Sequence, residues 1–178
     1  MKKRCTLVLF ILLTSSAAYS QMHEVGILTS GLNSFGMVYK VQTSENRYLA
    51  HKLGLADVRL DFTENANTVN AQMGYALGFE KRKALNEKLL FVHGFQPAFS
   101  LALSYADNTN LILRPSLGYI LGFQYNFNEF FYLSLETVPS FSASWVYQEE
   151  RVNSIAINAG YASNVAAITL AYRFEKSK

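Results

Sequence analysis

The sequence holds one cysteine, three prolines, one tryptophan and three histidines in 178 residues. Its longest apolar run, Leu7–Leu13, is too short to cross a bilayer as a helix. No later segment offers the ~20 consecutive apolar residues such a helix needs. The lone Cys5 precedes that run, whereas a lipid-anchor cysteine would follow it. Beyond position 20 there is no cysteine, which excludes disulfides, thiol catalysis and cysteine-based metal sites there. Charge is also scarce. The formal charge of +3 contains Lys2, Lys3 and Arg4, so the remainder is close to neutral. A near-neutral chain has no electrostatic footprint for nucleic acid, and none is expected as a partner.

The basic start, the short apolar core and the small residues Ala18-Tyr19-Ser20 read as a secretion signal over 1–20. Cleavage is expected after Ser20, with a second possible cut after Ala18, leaving one domain over 21–178.

What the chain has in abundance is alternation. From Leu111 to Phe127 every odd position is apolar, aromatic or proline, while Arg114, Ser116, Gly118, Gly122 and Gln124 lie between them. The pattern resumes from Phe131 to Tyr147, with Ser134, Glu136, Ser140, Ser142 and Ser144 opposite. A period of two over such lengths means long strands with one apolar and one small, polar face. Eight strands are predicted, at 22–30, 34–42, 47–61, 69–82, 89–105, 111–127, 130–147 and 154–174. Short breaks fall at 43–46, 83–87 and 126–129, and looser ones near 62–68, 106–110 and 148–153. Behind a secretion signal this alternation reads as a transmembrane β-barrel, and with both termini periplasmic the short turns fall inside and the looser loops outside, as outer-membrane barrels keep them. A second division merges 22–42 and splits 154–174 at 162–164, but it inverts that turn rule.

Other signals modify this frame. The apolar parity flips from odd at Ile155–Tyr161 to even at Ile168–Phe174, which calls for a bulge near 162–165. The third strand is ambiguous around Ala56-Asp57. Pro97, Pro115 and Pro139 lie inside strands, where each removes a ladder donor. They mark either the outer edge of the bilayer or three independent bulges. Aromatics gather at two levels, as girdles do. Phe79, Phe91, Phe123, Tyr125, Phe131 and Tyr75 are expected low, and Phe99, Tyr105, Phe141, Trp145 and Tyr147 high.

The final strand, Ala167-Ile168-Thr169-Leu170-Ala171-Tyr172-Arg173-Phe174, resembles the C-terminal signal of outer-membrane barrels, although four residues follow its last aromatic. Gly78–Lys83 and Gly118–Phe127 are similar to small Bacteroidota-type barrels of the porin-like, outer-membrane β-barrel family. The resemblance implies an all-β, eight-stranded antiparallel up-and-down transmembrane barrel in the outer membrane. It also implies recognition of Ile168–Phe174 by the barrel-assembly machinery.

The candidate site is a set of lumen-facing charges: Lys40, Glu80, Arg82, Arg114, Glu136 and Arg173. Glu136 lies deep in its strand among serines and needs a cationic or hydrogen-bonding partner. Simple hairpin register sets it opposite about Leu121, so the register itself does not pair it with Arg114. A structural plug is the preferred reading, ahead of a ligand or gating site and of a catalytic carboxylate. The histidines His23, His51 and His93 are scattered, and no His-x-His, His-Glu-x-x-His, nucleophile-elbow or phosphate-loop spacing occurs. No enzyme activity and no cofactor or metal are expected. Polar loop residues, among them Asp61, Glu64, Asn65, Asn67, Asp107, Asn108, Asn110, Glu149 and Glu150, are available to lipopolysaccharide or a surface partner. The leading expectation is a structural or surface-interacting barrel with a filled lumen. A narrow transporter for a small or hydrophobic solute comes next. A soluble secreted ligand-binding barrel comes last, since it reverses the polarity of the two faces.

Overall fold

The computed structural model describes residues 22–30, 35–54, 58–62, 67–105, 109–148, 151–160 and 166–175. The segment 1–21, where the secretion signal is expected, lies outside them.

Among the described residues, eleven strand segments build eight wall strands. β1 (Met22–Thr29), β2 (Phe35–Ser44), β5 (Asn67–Ala84), β6 (Leu89–Tyr105) and β7 (Thr109–Asn126) each form a whole strand. β3 (Arg47–Gly54) with β4 (Val58–Phe62), β8 (Phe131–Thr137) with β9 (Ser140–Gln148), and β10 (Arg151–Gly160) with β11 (Ala167–Glu175) each share one. Neighbours pair antiparallel in chain order, and β11 closes the ring by pairing with both β8 and β1. The molecule is therefore an all-β, closed eight-stranded antiparallel barrel, with strand positions close to those the alternation predicts.

Local chemistry makes the tight turns. A two-residue turn at Glu45-Asn46 joins β2 to β3. The β5–β6 and β7–β8 turns share one device. Asn86 Oδ1 accepts from the backbone N–H of Lys88 and Leu89 at 2.9 and 2.8 Å. Asn128 Oδ1 does the same for Phe130 and Phe131 at 2.9 and 2.7 Å. An Asn side chain that caps its own turn fixes the reversal and hence the register of both hairpins.

The registers also set the barrel's shape. Gly26 pairs with Val38, Val38 with Lys52, Lys52 with Ala76, Ala76 with Ala98, Ala98 with Ser116 and Ser116 with Ser142. Extending the β8–β11 register, in which Glu136 meets Ala167, carries Ser142 to position 161. That is ten residues before Ala171, the residue that pairs with Gly26. A stagger of ten over eight strands gives a strand tilt of about 40° and a backbone radius of roughly 8 Å. Such a cylinder is filled by its own side chains.

Two irregularities keep faces consistent. Between Gly54↔Gly74 and Val58↔Ala71 the third wall strand advances four residues against three, a one-residue bulge. The eighth advances seven residues, from Gly160 to Ala167, against four from Ser140 to Glu136. The surplus of three is odd. Ile155 and Ile157 therefore face outward with Trp145 and Ala143, and Ile168 and Leu170 face outward with Leu135 and Leu133. The parity flip in the sequence has this cause.

Each proline sits at or beside a gap in the ladder. Pairing skips the partners of Gln96 and Pro97 between Ala76↔Ala98 and Phe79↔Phe95, and skips Arg114 and Pro115 between Leu113↔Trp145 and Ser116↔Ser142. Val138 and Pro139 separate β8 from β9. Even so, β7 holds one register along both, and Tyr119 N–H donates to Pro139 O at 3.0 Å. Tyr75 stands directly opposite Phe99, so it belongs to the upper aromatic level rather than the lower.

The two faces differ as the alternation requires. Large apolar side chains such as Ile27, Phe95, Leu117 and Leu170 are exposed on the outside. Glu24, Lys40, Glu80, Arg82 and Glu136 are buried inside. A soluble ligand-binding barrel has the opposite arrangement. Open strand edges do not survive in lipid, and this barrel closes on itself.

Candidate functional site

Inward-facing positions are the even ones in β1 to β3 and β5 to β9, and the parity flip makes them odd in β11. This rule delivers Glu24 from β1, Lys40 from β2, Tyr48 and Lys52 from β3, Glu80 and Arg82 from β5, Gln96 from β6, Tyr132, Ser134 and Glu136 from β8, and Arg173 from β11. Seven of these side chains are charged, three carboxylates against four cations. They interlock in two tiers.

The tier nearer the termini centres on Glu24. Arg82 grips it with both terminal nitrogens, Nη1 to Oε1 at 2.7 Å and Nη2 to Oε2 at 2.6 Å. Arg173 Nε donates to Oε1 at 3.0 Å, and the Tyr132 hydroxyl donates to Oε2 at 2.7 Å. The Arg82 guanidinium lies 3.5 Å from the Tyr48 ring centroid, a cation–π contact that also holds its plane. The paired, fork-shaped contact is geometry that arginine makes and lysine does not.

The upper tier is a square. Lys40 Nζ reaches Glu80 Oε2 at 2.9 Å and Glu136 Oε1 at 3.2 Å. Lys52 Nζ reaches Glu136 Oε2 at 2.6 Å and Glu80 Oε1 at 3.5 Å. Gln96 Oε1 accepts from Lys52 at 3.0 Å, and Ser134 Oγ donates to Glu136 at 3.2 Å. Arg82 Nη2, 3.5 Å from Glu80 Oε2, ties the tiers together. Burying a charge is costly unless it is paired and hydrogen-bonded, and each carboxylate here has at least two cationic partners.

Glycines make the room. Glu136 stands opposite Gly122, one position from the expected Leu121. A Cβ on Gly122 would lie 2.9 Å from Glu136 Cγ and 2.5 Å from Leu135 O. A Cβ on Gly94 would lie 1.9 Å from Phe79 O, so only glycine lets β6 approach β5 beneath Glu80.

Five of the six charges named from the sequence meet here: Lys40, Glu80, Arg82, Glu136 and Arg173. Arg114 does not. It faces the same way but is exposed, opposite Ser100, with no ion pair among the described residues. Glu136 takes Lys40 and Lys52 instead. Glu24, Lys52 and Tyr132 are members that the sequence reading missed. Their shared even parity across the tight β2–β3 turn and along β1 and β8 was the available signal.

The chemistry of the cluster is that of neutralisation. The described histidines stand on the outer wall, where His23, His51 and His93 each share an Nδ1 hydrogen bond with a tyrosine hydroxyl: Tyr39 at 2.6 Å, Tyr75 at 2.6 Å and Tyr119 at 3.0 Å. None of them meets Ser134 or another lumen serine to make a nucleophile–base pair. Among the described residues no group of three or more His, Cys, Asp or Glu side chains is placed to hold a metal ion.

No family model and no curated protein matches the chain. Six chains of solved structures are similar to it, two of them as follows. One is Ail, the attachment invasion locus protein of Yersinia pestis, at 13% identity over 88% of this chain and 100% of that one, with a TM-score of 0.47. The other is Neisserial surface protein A, NspA, at 11% identity over 86% of this chain and 92% of that one, with a TM-score of 0.42.

Proposed function

We propose that this chain is a non-enzymatic outer-membrane barrel, a structural or surface-interacting element of the envelope whose lumen is closed by its own charges. The observation that carries this reading is the interlocked cluster of three carboxylates and four cations. It crosses the lumen from β1, β2, β3 and β5 to β8 and β11, within a cylinder of roughly 8 Å backbone radius. Paired charges there block ions rather than pass them. Export by the 1–20 segment, lipid around the apolar wall and handling of Ile168–Phe174 by the assembly machinery complete the reading. Lipopolysaccharide or a surface partner would meet the polar outer loops. The transporter alternative needs a continuous lumen, and the cluster stands across that path.

Planar-bilayer recording of the purified protein tests the proposal. The wild type should carry no steady ion current at neutral pH. Long-lived open channels in the unaltered protein would overturn the closed-lumen reading.

A further inference from the structure

The apolar wall is not of equal height around the barrel. The ends of the strands that meet at the tight turns, together with Met22, lie at one level. β1 stops at Thr29, seven residues on from Met22, where it meets Phe35 and Ile168. At about 2.5 Å of height per tilted residue, that is about 18 Å. On the other side, Trp145 stands fourteen residues above Phe131, or about 35 Å.

The outward face beneath Trp145 is unbroken. β7 keeps one register along β8 and β9, so Phe131, Leu133, Leu135, Phe141 and Trp145 climb a single column beside the odd positions of β7. Neither column carries a charge. Ile155 and Ile157 extend the same face and are exposed, at 63% and 68%. The described part of this face ends at Trp145 and Tyr147, aromatic residues of the kind that gather where a wall leaves a membrane. In an upright barrel with a level apolar band of ~25 Å, Trp145 would stand about 10 Å outside the hydrocarbon.

We propose that outer-leaflet lipid covers this tall face as far as Trp145. The barrel then sits tilted, and the bilayer is thin beside the β1–β2 hairpin and thick along β7–β9. Continuity with the lower apolar wall identifies lipid as the occupant. Mismatch of this kind is accommodated by tilting or by local bilayer deformation, at modest cost. The inference rests on the membrane reading above and goes beyond it by assigning a depth and a lean.

Trp145 is the single tryptophan of the chain, so its own emission reports its surroundings. The protein is inserted into phosphatidylcholine vesicles with brominated acyl chains. A second protein, carrying Trp145→Phe and Phe123→Trp, places the reporter low on the same wall. If both lose most of their emission, lipid reaches Trp145 as proposed. If Phe123→Trp is quenched while Trp145 is not, the barrel is in the membrane but the tall face meets water or a protein partner, and the inference fails alone. If neither is quenched, the membrane reading fails and the inference with it.

Discussion

Replacing Glu136 by Gln removes one of three carboxylates and leaves four cations around the remaining two. Lys52 loses its carboxylate partner at 2.6 Å, and its one remaining anion is Glu80 at 3.5 Å, beside the neutral amide oxygens of Gln96 and of the substituted side chain. Lys40 retains Glu80 at 2.9 Å. Both ammonium groups stay buried, so neither recovers solvation. Breaking a buried pair from one side costs about 3–5 kcal/mol, or roughly two to four powers of ten in the folding equilibrium. The companion change Lys52→Met removes the stranded cation, so the double variant should lie well above the sum of the two single losses. The assay is urea-induced unfolding in lipid vesicles, followed by Trp145 emission and by the gel mobility of unboiled samples. A Glu136→Gln midpoint equal to the wild type, or additive single and double variants, would refute the claim that the paired charges of the square stabilise the fold.

Three further outcomes follow from the same geometry. Gly94→Val puts side-chain atoms into the backbone oxygen of Phe79 and should cost at least about 1–3 kcal/mol, seen as a lower urea midpoint or loss of the folded gel band. Arg114→Ala touches an exposed residue outside the cluster and should stay within about 0.5 kcal/mol of wild type in the same titration. Leu135→Arg places a charge on the outer wall near the middle of the apolar band. It should lower stability in vesicles by about 2–4 kcal/mol, and a value near zero there would argue against lipid on that face.

Much of this fold was legible because alternation, unlike helical propensity, names a face directly. The 111–127 and 130–147 columns, the short breaks at 83–87 and 126–129 and the parity flip in the last strand all translated into wall strands and turns at nearly the expected positions. Height was harder to read than face. Arg114 and Glu136 both point inward, yet a stagger of ten residues around the ring lifts positions on successive strands to different levels, and the sequence does not print that stagger. The same effect moved Tyr75 up beside Phe99. Lys52 was missed for a related reason. The bulge near 55–57 blurred the faces of its strand, although the two-residue turn at Glu45-Asn46 sets Lys52 opposite Val38 and therefore inward. Glu24, two residues from the start of β1, had little flanking pattern to reveal its face. Glu64, Asn65, Asp107, Asn108, Glu149 and Glu150, expected in the outer loops, lie outside the described residues.

The central claim is a closed barrel embedded in the outer membrane, and fractionation of expressing cells tests it most directly, with the membrane fraction run on gels unboiled and boiled. The account predicts recovery with the outer membrane and a band whose mobility changes on boiling. Recovery as a soluble periplasmic protein with one mobility in both lanes would contradict it.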